Sequence, residues 1–169
     1  VRPMLPPAPW TNVLANPRFG CLVTEAGLGY SWAGNSQMNR LTPWSNDPVS
    51  DPSGEVIYLR DDETGDFWTP TPLPLGPRAT VTVRHGQGYT RYTHVSRSLN
   101  QDLLVFVPTE DPIKLVCLTV RNDGDRPKTN GKMWGGLSDR ATAIADAFTP
   151  HGLANRASPE KKKKKWKKL

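Results

Sequence analysis

The sequence has little cysteine. Only two cysteines occur among 169 residues, Cys21 and Cys117, and each lies within a short apolar run. A disulfide framework is therefore excluded, and buried reduced thiols are favoured over a single bridge, because a free cysteine behaves as a small apolar residue. No cysteine or histidine spacing typical of a metal site occurs, so neither a metal nor another cofactor is expected.

Long apolar runs and the short motifs of several enzyme classes are also absent. No stretch of 18 apolar residues occurs, so the sequence predicts no membrane-spanning helix. The proline-rich first residues lack the apolar core of a signal peptide, and the initial valine indicates a chain that begins partway through a longer reading frame. Neither a P-loop nor a G-x-S-x-G elbow is present, which argues against the common nucleotide-dependent and serine-hydrolase mechanisms.

Positive charge is concentrated near the C-terminus. Residues 1–127 carry 11 Lys and Arg against 13 Asp and Glu, whereas residues 128–169 carry 11 against 3. The net charge of +6 therefore arises in the last quarter, which ends in KKKKKWKKL. One hypothesis is a small non-enzymatic interaction protein whose lysine-rich tail binds anionic lipid or nucleic acid, and no specific nucleic-acid partner is expected.

The earlier part of the sequence is typical of β structure. Residues 79–84 alternate between apolar and polar, His85 to Gly88 can turn the chain, and residues 89–95 are β-branched and aromatic, so a hairpin is predicted. The Glu63–Asp66 turn predicts another hairpin. Strands are predicted at residues 56–60, 67–69, 79–84, 89–95, 103–107 and 113–120, the last two buried on both faces. Such short, regularly spaced strands predict an all-β fold, an antiparallel β-sandwich.

A long polar and aromatic segment, residues 30–52, interrupts this pattern with few strand signals. Aromatic rings cover the apolar faces of sugars, while amide, carboxylate and guanidinium groups bond to their hydroxyls. The candidate sugar-binding residues are therefore Trp32, Asn35, Arg40, Trp44, Asn46 and Asp47. Alternatively, the tryptophans pack the segment onto a sheet and the asparagines cap turns. Most carboxylates between residues 47 and 66 are expected to be solvated, and His85 and His94 to be packed or surface side chains.

The pattern changes after Pro127. Residues 138–148 predict a short helix with Ser138 as its N-cap, and the lysine run predicts disorder. No strand pattern follows the Asp123-Gly124 turn, so residues 113–120 are expected to lack a hairpin partner unless a tail segment covers that edge. A frameshift near Pro127 is one explanation. An uncovered apolar edge would make the chain prone to aggregation.

Several motifs carry a resemblance to a known family. They are PWTNV at residues 9–13, NPRFG at 16–20, GYSWAGNSQMNRLTPWSNDPVSD at 29–51, RHGQGYT at 84–90 and LTVRN at 118–122. Together they resemble glycoside hydrolase family 94, which contains sugar phosphorylases and cyclic β-1,2-glucan synthases, and they are most similar to the synthase branch.

The resemblance implies that residues 8–127 form part of a β-sandwich (supersandwich) domain, followed by a non-matching tail at 128–169. In the family a linker joins this domain to an (α/α)6 barrel that holds the catalytic aspartate and the phosphate site. The chain lacks this barrel, so it is expected to be inactive alone and to bind sugar weakly, in the millimolar range or not at all. Its expected partners are a β-linked glucan or oligosaccharide and the barrel, which it would support while its loop lines the sugar site. The implied location is cytoplasmic, at the inner membrane for a glucan synthase.

Overall fold

The computed structural model describes residues 5–61, 63–125 and 140–145 of the chain. These residues contain strands and no helix, and none of their elements is a helix long and apolar enough to cross a membrane. The strands are β1 (Thr11–Ala15), β2 (Phe19–Thr24), β3 (Leu28–Ala33), β4 (Leu59–Arg60), β5 (Phe67–Trp68), β6 (Thr82–Gly86), β7 (Tyr89–Ser96), β8 (Leu99–Phe106), β9 (Leu115–Asn122) and β10 (Arg140–Ala145).

All strand pairings are antiparallel, and they form three sheets. The strand orders are β1-β2-β3, β10-β9-β8-β7-β6 and β4-β5. The predicted all-β antiparallel fold is therefore confirmed, and it is consistent with a supersandwich domain.

The core lies on one face of the five-stranded sheet. Alternate residues of β7, β8 and β9 are buried there, and side chains from β1, β2 and β3 pack against them in a single cluster. The largest members of this core are Leu14, Phe19, Trp68, Tyr92, Leu99 and Leu103. The opposite face carries Leu104, Phe106 and Leu115, which are only partly buried. The prediction of burial on both faces is therefore correct for one face only.

Polar side chains join the three-stranded sheet to the five-stranded sheet. The Tyr92 hydroxyl donates to the backbone oxygens of Thr24 at 2.5 Å and Gly27 at 3.2 Å. The Asn12 amide donates to the Gly86 oxygen at 3.0 Å. Since these groups are buried or partly buried, such bonds satisfy backbone oxygens that would otherwise lose water at the contact between sheets.

Two predicted hairpins are confirmed, β6–β7 and β4–β5. The β6–β7 turn needs only Gln87 and Gly88, and Gly88 has a φ of 79°, a conformation that glycine adopts without strain. A third hairpin joins β7 to β8 through Arg97 and Ser98, whose φ angles are 56° and 61°. Neither residue is glycine, so this turn lacks the usual sequence signal.

The C-terminal segment differs from its prediction. Residues 138–148 were predicted to form a short helix, yet Arg140–Ala145 is a strand that pairs antiparallel with β9, from Arg140 opposite Arg121 to Ala145 opposite Val116. A tail segment thus covers that edge of β9, which is the exception that the sequence left open. The physical reason is that open backbone donors and acceptors of an edge strand favour pairing over the local helical preference of a short segment. The lysine-rich end lies outside the described residues.

Candidate carbohydrate-binding site

Three aromatic rings form a cluster on β3 and the segment that follows it. The Tyr30 ring centroid lies 5.2 Å from that of Trp32 and 5.3 Å from that of Trp44, with interplanar angles of 39° and 31°. The long segment therefore begins as strand rather than loop, because residues 28–33 belong to β3. The structure brings two predicted tryptophans together and adds Tyr30. Its spacing of two residues from Trp32, which places both on one face of a strand, is the signal that could have found it.

A glycine of the neighbouring strand supports Trp32. Gly20 is opposite Trp32 in the β2–β3 register, and a Cβ atom at Gly20 would lie 2.4 Å from the Trp32 ring. Because no side chain occupies this space, the indole lies directly against the backbone of β2. Its other face is turned away from β2.

Arg40 lies beside the same cluster. Its guanidinium carbon is 5.1 Å from the centroid of the Trp44 ring, a distance suited to a cation–π contact. Arg40 also forms an isolated β-bridge with Trp32, and its Nε donates to the Ser36 oxygen at 3.2 Å. Trp44 keeps 40% of its surface exposed. The site thus places accessible ring surface next to guanidinium donors, the combination that a sugar's apolar face and hydroxyls require.

Two other predicted site residues cap turns. The Asn35 side-chain oxygen accepts the backbone N–H groups of Gln37 and Met38, both at 2.9 Å. The Asp47 carboxylate accepts the hydroxyl and backbone N–H of Ser50 and a backbone N–H at Val49, and these bonds hold its pKa below the ordinary value. Asn46 is exposed. The local geometry of Asn35 and Asp47 therefore agrees with the turn-capping alternative.

A buried ion pair lies beneath the cluster. The Lys114 ammonium, which precedes β9, contacts the Glu55 carboxylate and donates to the Ser31 hydroxyl at 2.8 Å. The Ser31 hydroxyl also bonds to Glu55 at 2.8 Å, while the Thr42 hydroxyl bonds to Glu55 at 3.4 Å and accepts the Ser31 backbone N–H at 2.8 Å. The side chains of Lys114 and Glu55 are only 3% and 16% exposed.

Glu55 reaches the ion pair because the chain returns to β3 at residues 54 and 55. Glu55 forms a β-bridge with Leu28, and the Gly54 backbone N–H donates to the Leu28 oxygen at 3.0 Å. A Cβ atom at Gly54 would lie 2.2 Å from the backbone oxygen of Gly29, so only glycine fits this close approach. Residues 34–53 therefore leave β3 and return to it, and this segment brings Arg40 and Trp44 beside the rings that β3 carries.

The expectation of mostly solvated carboxylates is wrong for several residues. Glu55 is paired as above, and Asp61 is buried and accepts the backbone N–H groups of Glu63 and Thr64. Asp51 accepts the Thr24 hydroxyl at 2.6 Å, whereas Asp66 pairs with Arg97 at 2.8 Å and stays half exposed, as expected. The contacts of Glu55, Asp51 and Asp66 join distant parts of the chain, so local sequence carried no signal of them. The bonds of Asp61, in contrast, close the turn that the sequence predicted.

Histidines and cysteines differ in burial, and the predicted buried thiol is found at Cys21 but not at Cys117, which is only partly buried. His94 is buried on β7, and His85 bonds through Nδ1 to the Thr90 hydroxyl at 2.9 Å. Both cysteines are free thiols. Burial raises the pKa of Cys21 to about 12. No group of three or more potential metal-binding side chains occurs in residues 5–61 and 63–125.

Comparison with known proteins identifies relatives that act on carbohydrates. The chain is 40% identical over 117 residues to the cyclic β-(1,2)-glucan synthase NdvB of Rhizobium meliloti, a match that covers 69% of the chain and 4% of the synthase. It is 33% identical over 126 residues to the N,N'-diacetylchitobiose phosphorylase of Vibrio furnissii and 31% over 127 residues to the solabiose phosphorylase of Paenibacillus borealis. These matches cover 73% and 72% of the chain and 16% of each phosphorylase.

The chain therefore spans less than a fifth of the length of these relatives. The family model described as the supersandwich domain of glycosyl hydrolase 94 matches residues 2–129, a range that includes the aromatic cluster and all strands from β1 to β9. The chain therefore belongs to glycoside hydrolase family 94, and its residues 2–129 match the supersandwich domain of that family.

Proposed function

We propose that the chain supplies a carbohydrate-binding surface to a family 94 enzyme that synthesises or phosphorolyses β-linked glucans or oligosaccharides. Tyr30, Trp32 and Trp44 provide the rings, and Arg40 provides hydrogen-bond donors. The sandwich supports the catalytic barrel and presents this surface at the edge of the sugar site.

The aromatic cluster is the observation that carries the proposal. The Tyr30 ring contacts both tryptophan rings, Trp44 is 40% exposed, and a guanidinium carbon lies 5.1 Å from the Trp44 ring. Clustered aromatic surface that stays open to solvent is more typical of a binding surface than of an ordinary protein surface. Polar residues flank these rings, as is usual at sugar-binding surfaces. The names of the relatives support the substrate class, since a β-glucan synthase and disaccharide phosphorylases all handle glycosidic bonds.

Binding of β-1,2-gluco-oligosaccharides to the 169-residue chain tests the proposal. We expect a dissociation constant of roughly 1 mM, because one open surface gains only about 4 kcal/mol of binding free energy without a facing wall. Chemical-shift titration of the tryptophan indole N–H groups measures it. Trp32→Ala and Trp44→Ala should abolish saturable binding. The indole N–H resonance of Trp68, which is buried in the core, should not shift when the oligosaccharide is added.

Trp10→Ala is the matched control, because Trp10 is 71% exposed and makes no ring contact with the cluster. Its removal should leave the dissociation constant unchanged. Binding that survives the loss of both Trp32 and Trp44, or that disappears with Trp10, would show that the surface is elsewhere.

A further inference from the structure

The buried ion pair and the aromatic cluster share the same short segments of chain. Along β3, Tyr30 and Trp32 point to one face and carry the rings, while Ser31 between them is fully buried and bonds to Lys114 and Glu55. After β3 the pattern repeats, because Thr42 is buried and bonds to Glu55, whereas Trp44 is exposed and joins the cluster. The ion pair thus lies directly behind the aromatic surface.

We propose that Lys114 is a positioning residue for this surface, an inference that rests on the proposed function. Lys114 immediately precedes β9 of the five-stranded sheet and lies 83 residues from Ser31 and 59 from Glu55 in sequence. By bonding to both, it fixes where β3 and the returning segment lie relative to the large sheet. The rings on the opposite face take their spacing from that placement.

The chemistry favours positioning over simple stabilisation. Removing two charges from water costs free energy that their attraction regains only partly, so a buried ion pair often stabilises no more than an apolar pair of the same size. Directional hydrogen bonds from Ser31, Thr42 and Lys114 to one carboxylate nevertheless allow only one arrangement of the segments. An apolar pair would fill the space without imposing that arrangement.

The double variant Lys114→Met with Glu55→Met separates the two roles. The comparison is informative when the double variant and the parent chain unfold at the same urea concentration. If the pair only stabilises the fold, the double variant should then keep the ring positions of the parent chain. If Lys114 positions the surface, the indole N–H resonances of Trp32 and Trp44 should move. The near-ultraviolet circular dichroism should change, and the dissociation constant for β-1,2-gluco-oligosaccharide should rise by about tenfold or more.

Two further chains complete the experiment. Ser31→Ala removes one oxygen from the network, keeps the ion pair and should move the same two indole resonances, so the test does not depend on the double variant folding. Arg121→Gln is the control, because Arg121 lies on β9 and forms an exposed ion pair with Asp123. This variant should change neither the indole resonances nor the near-ultraviolet circular dichroism.

Parent-like spectra from both Ser31→Ala and the double variant would overturn the positioning role. If the parent chain fails to bind the oligosaccharide, the proposed function is wrong. A comparison of the indole resonances between the parent chain and the variants still tests whether Lys114 sets the geometry of the rings.

Discussion

Acid is expected to destabilise this protein through His94. The side chain lies on the core face of β7, is only 6% exposed, and neither of its ring nitrogens has a hydrogen-bond partner among the described residues. Burial, with a smaller contribution from the Arg97 charge, lowers its pKa from 6.5 to about 4. The folded protein therefore holds His94 neutral at pH values where the unfolded chain already binds a proton.

The direction and size of the effect follow from this difference. Because the pKa of His94 is lower in the folded protein than in the unfolded chain, its proton binding does not reduce the free energy of unfolding above pH 6.5. The free energy of unfolding then decreases as the pH falls from 6.5 towards 4. The full shift corresponds to about 3 kcal/mol, and relaxation and water entry around the protonated ring reduce the expected loss to about 2 kcal/mol of unfolding free energy. This is a large part of the usual stability of a domain.

Urea denaturation at pH 7 and pH 4 measures the loss. His94→Leu replaces the titrating ring with an apolar side chain of the core. Between pH 7 and pH 4, the unfolding free energy of this variant should decrease by about 2 kcal/mol less than that of the parent chain. Carboxylates with lowered pKa values, such as Asp47, Asp66 and Asp123, contribute equally to both proteins. Equal acid sensitivity of the two proteins would refute the assignment to His94.

Three further outcomes are expected. Gly20→Ala places a methyl group 2.4 Å from the Trp32 ring, so it should displace the indole, change the near-ultraviolet circular dichroism and cost about 1–3 kcal/mol in urea denaturation; an unchanged spectrum would contradict the packing described. Tyr92→Phe removes a hydroxyl that bonds to two backbone oxygens, and the same assay should show a loss of about 1–2 kcal/mol; a stability equal to that of the parent would mean that these bonds contribute nothing. Cys21 should resist alkylation at pH 8 in the native state, whereas the less buried Cys117 reacts first, as mass spectrometry of labelled peptides would show; equal labelling would indicate local opening around Cys21.

Much of the fold could be predicted because it rests on local patterns. Alternation along residues 79–84 and the His85–Gly88 turn identify the β6–β7 hairpin, since a strand buries every second residue and a tight turn needs a residue with positive φ. The same reasoning identified the β4–β5 hairpin and the β-structure of the sequence that became β8 and β9. The two tryptophans of the candidate site could be selected from the sequence because aromatic residues are unusual in a polar segment, and their role in binding stays a prediction.

The sequence by itself thus determined the fold class, most of the strands and the family, because each depends on residues that are close together in the chain. Tertiary structure alone decided two other features. Arg140–Ala145 became a strand because β9 offered it an open edge. Lys114 and Glu55, 59 residues apart, became a buried pair. Pairings of this kind depend on which distant groups share a space from which water is excluded, and the folded chain rather than local sequence defines that space.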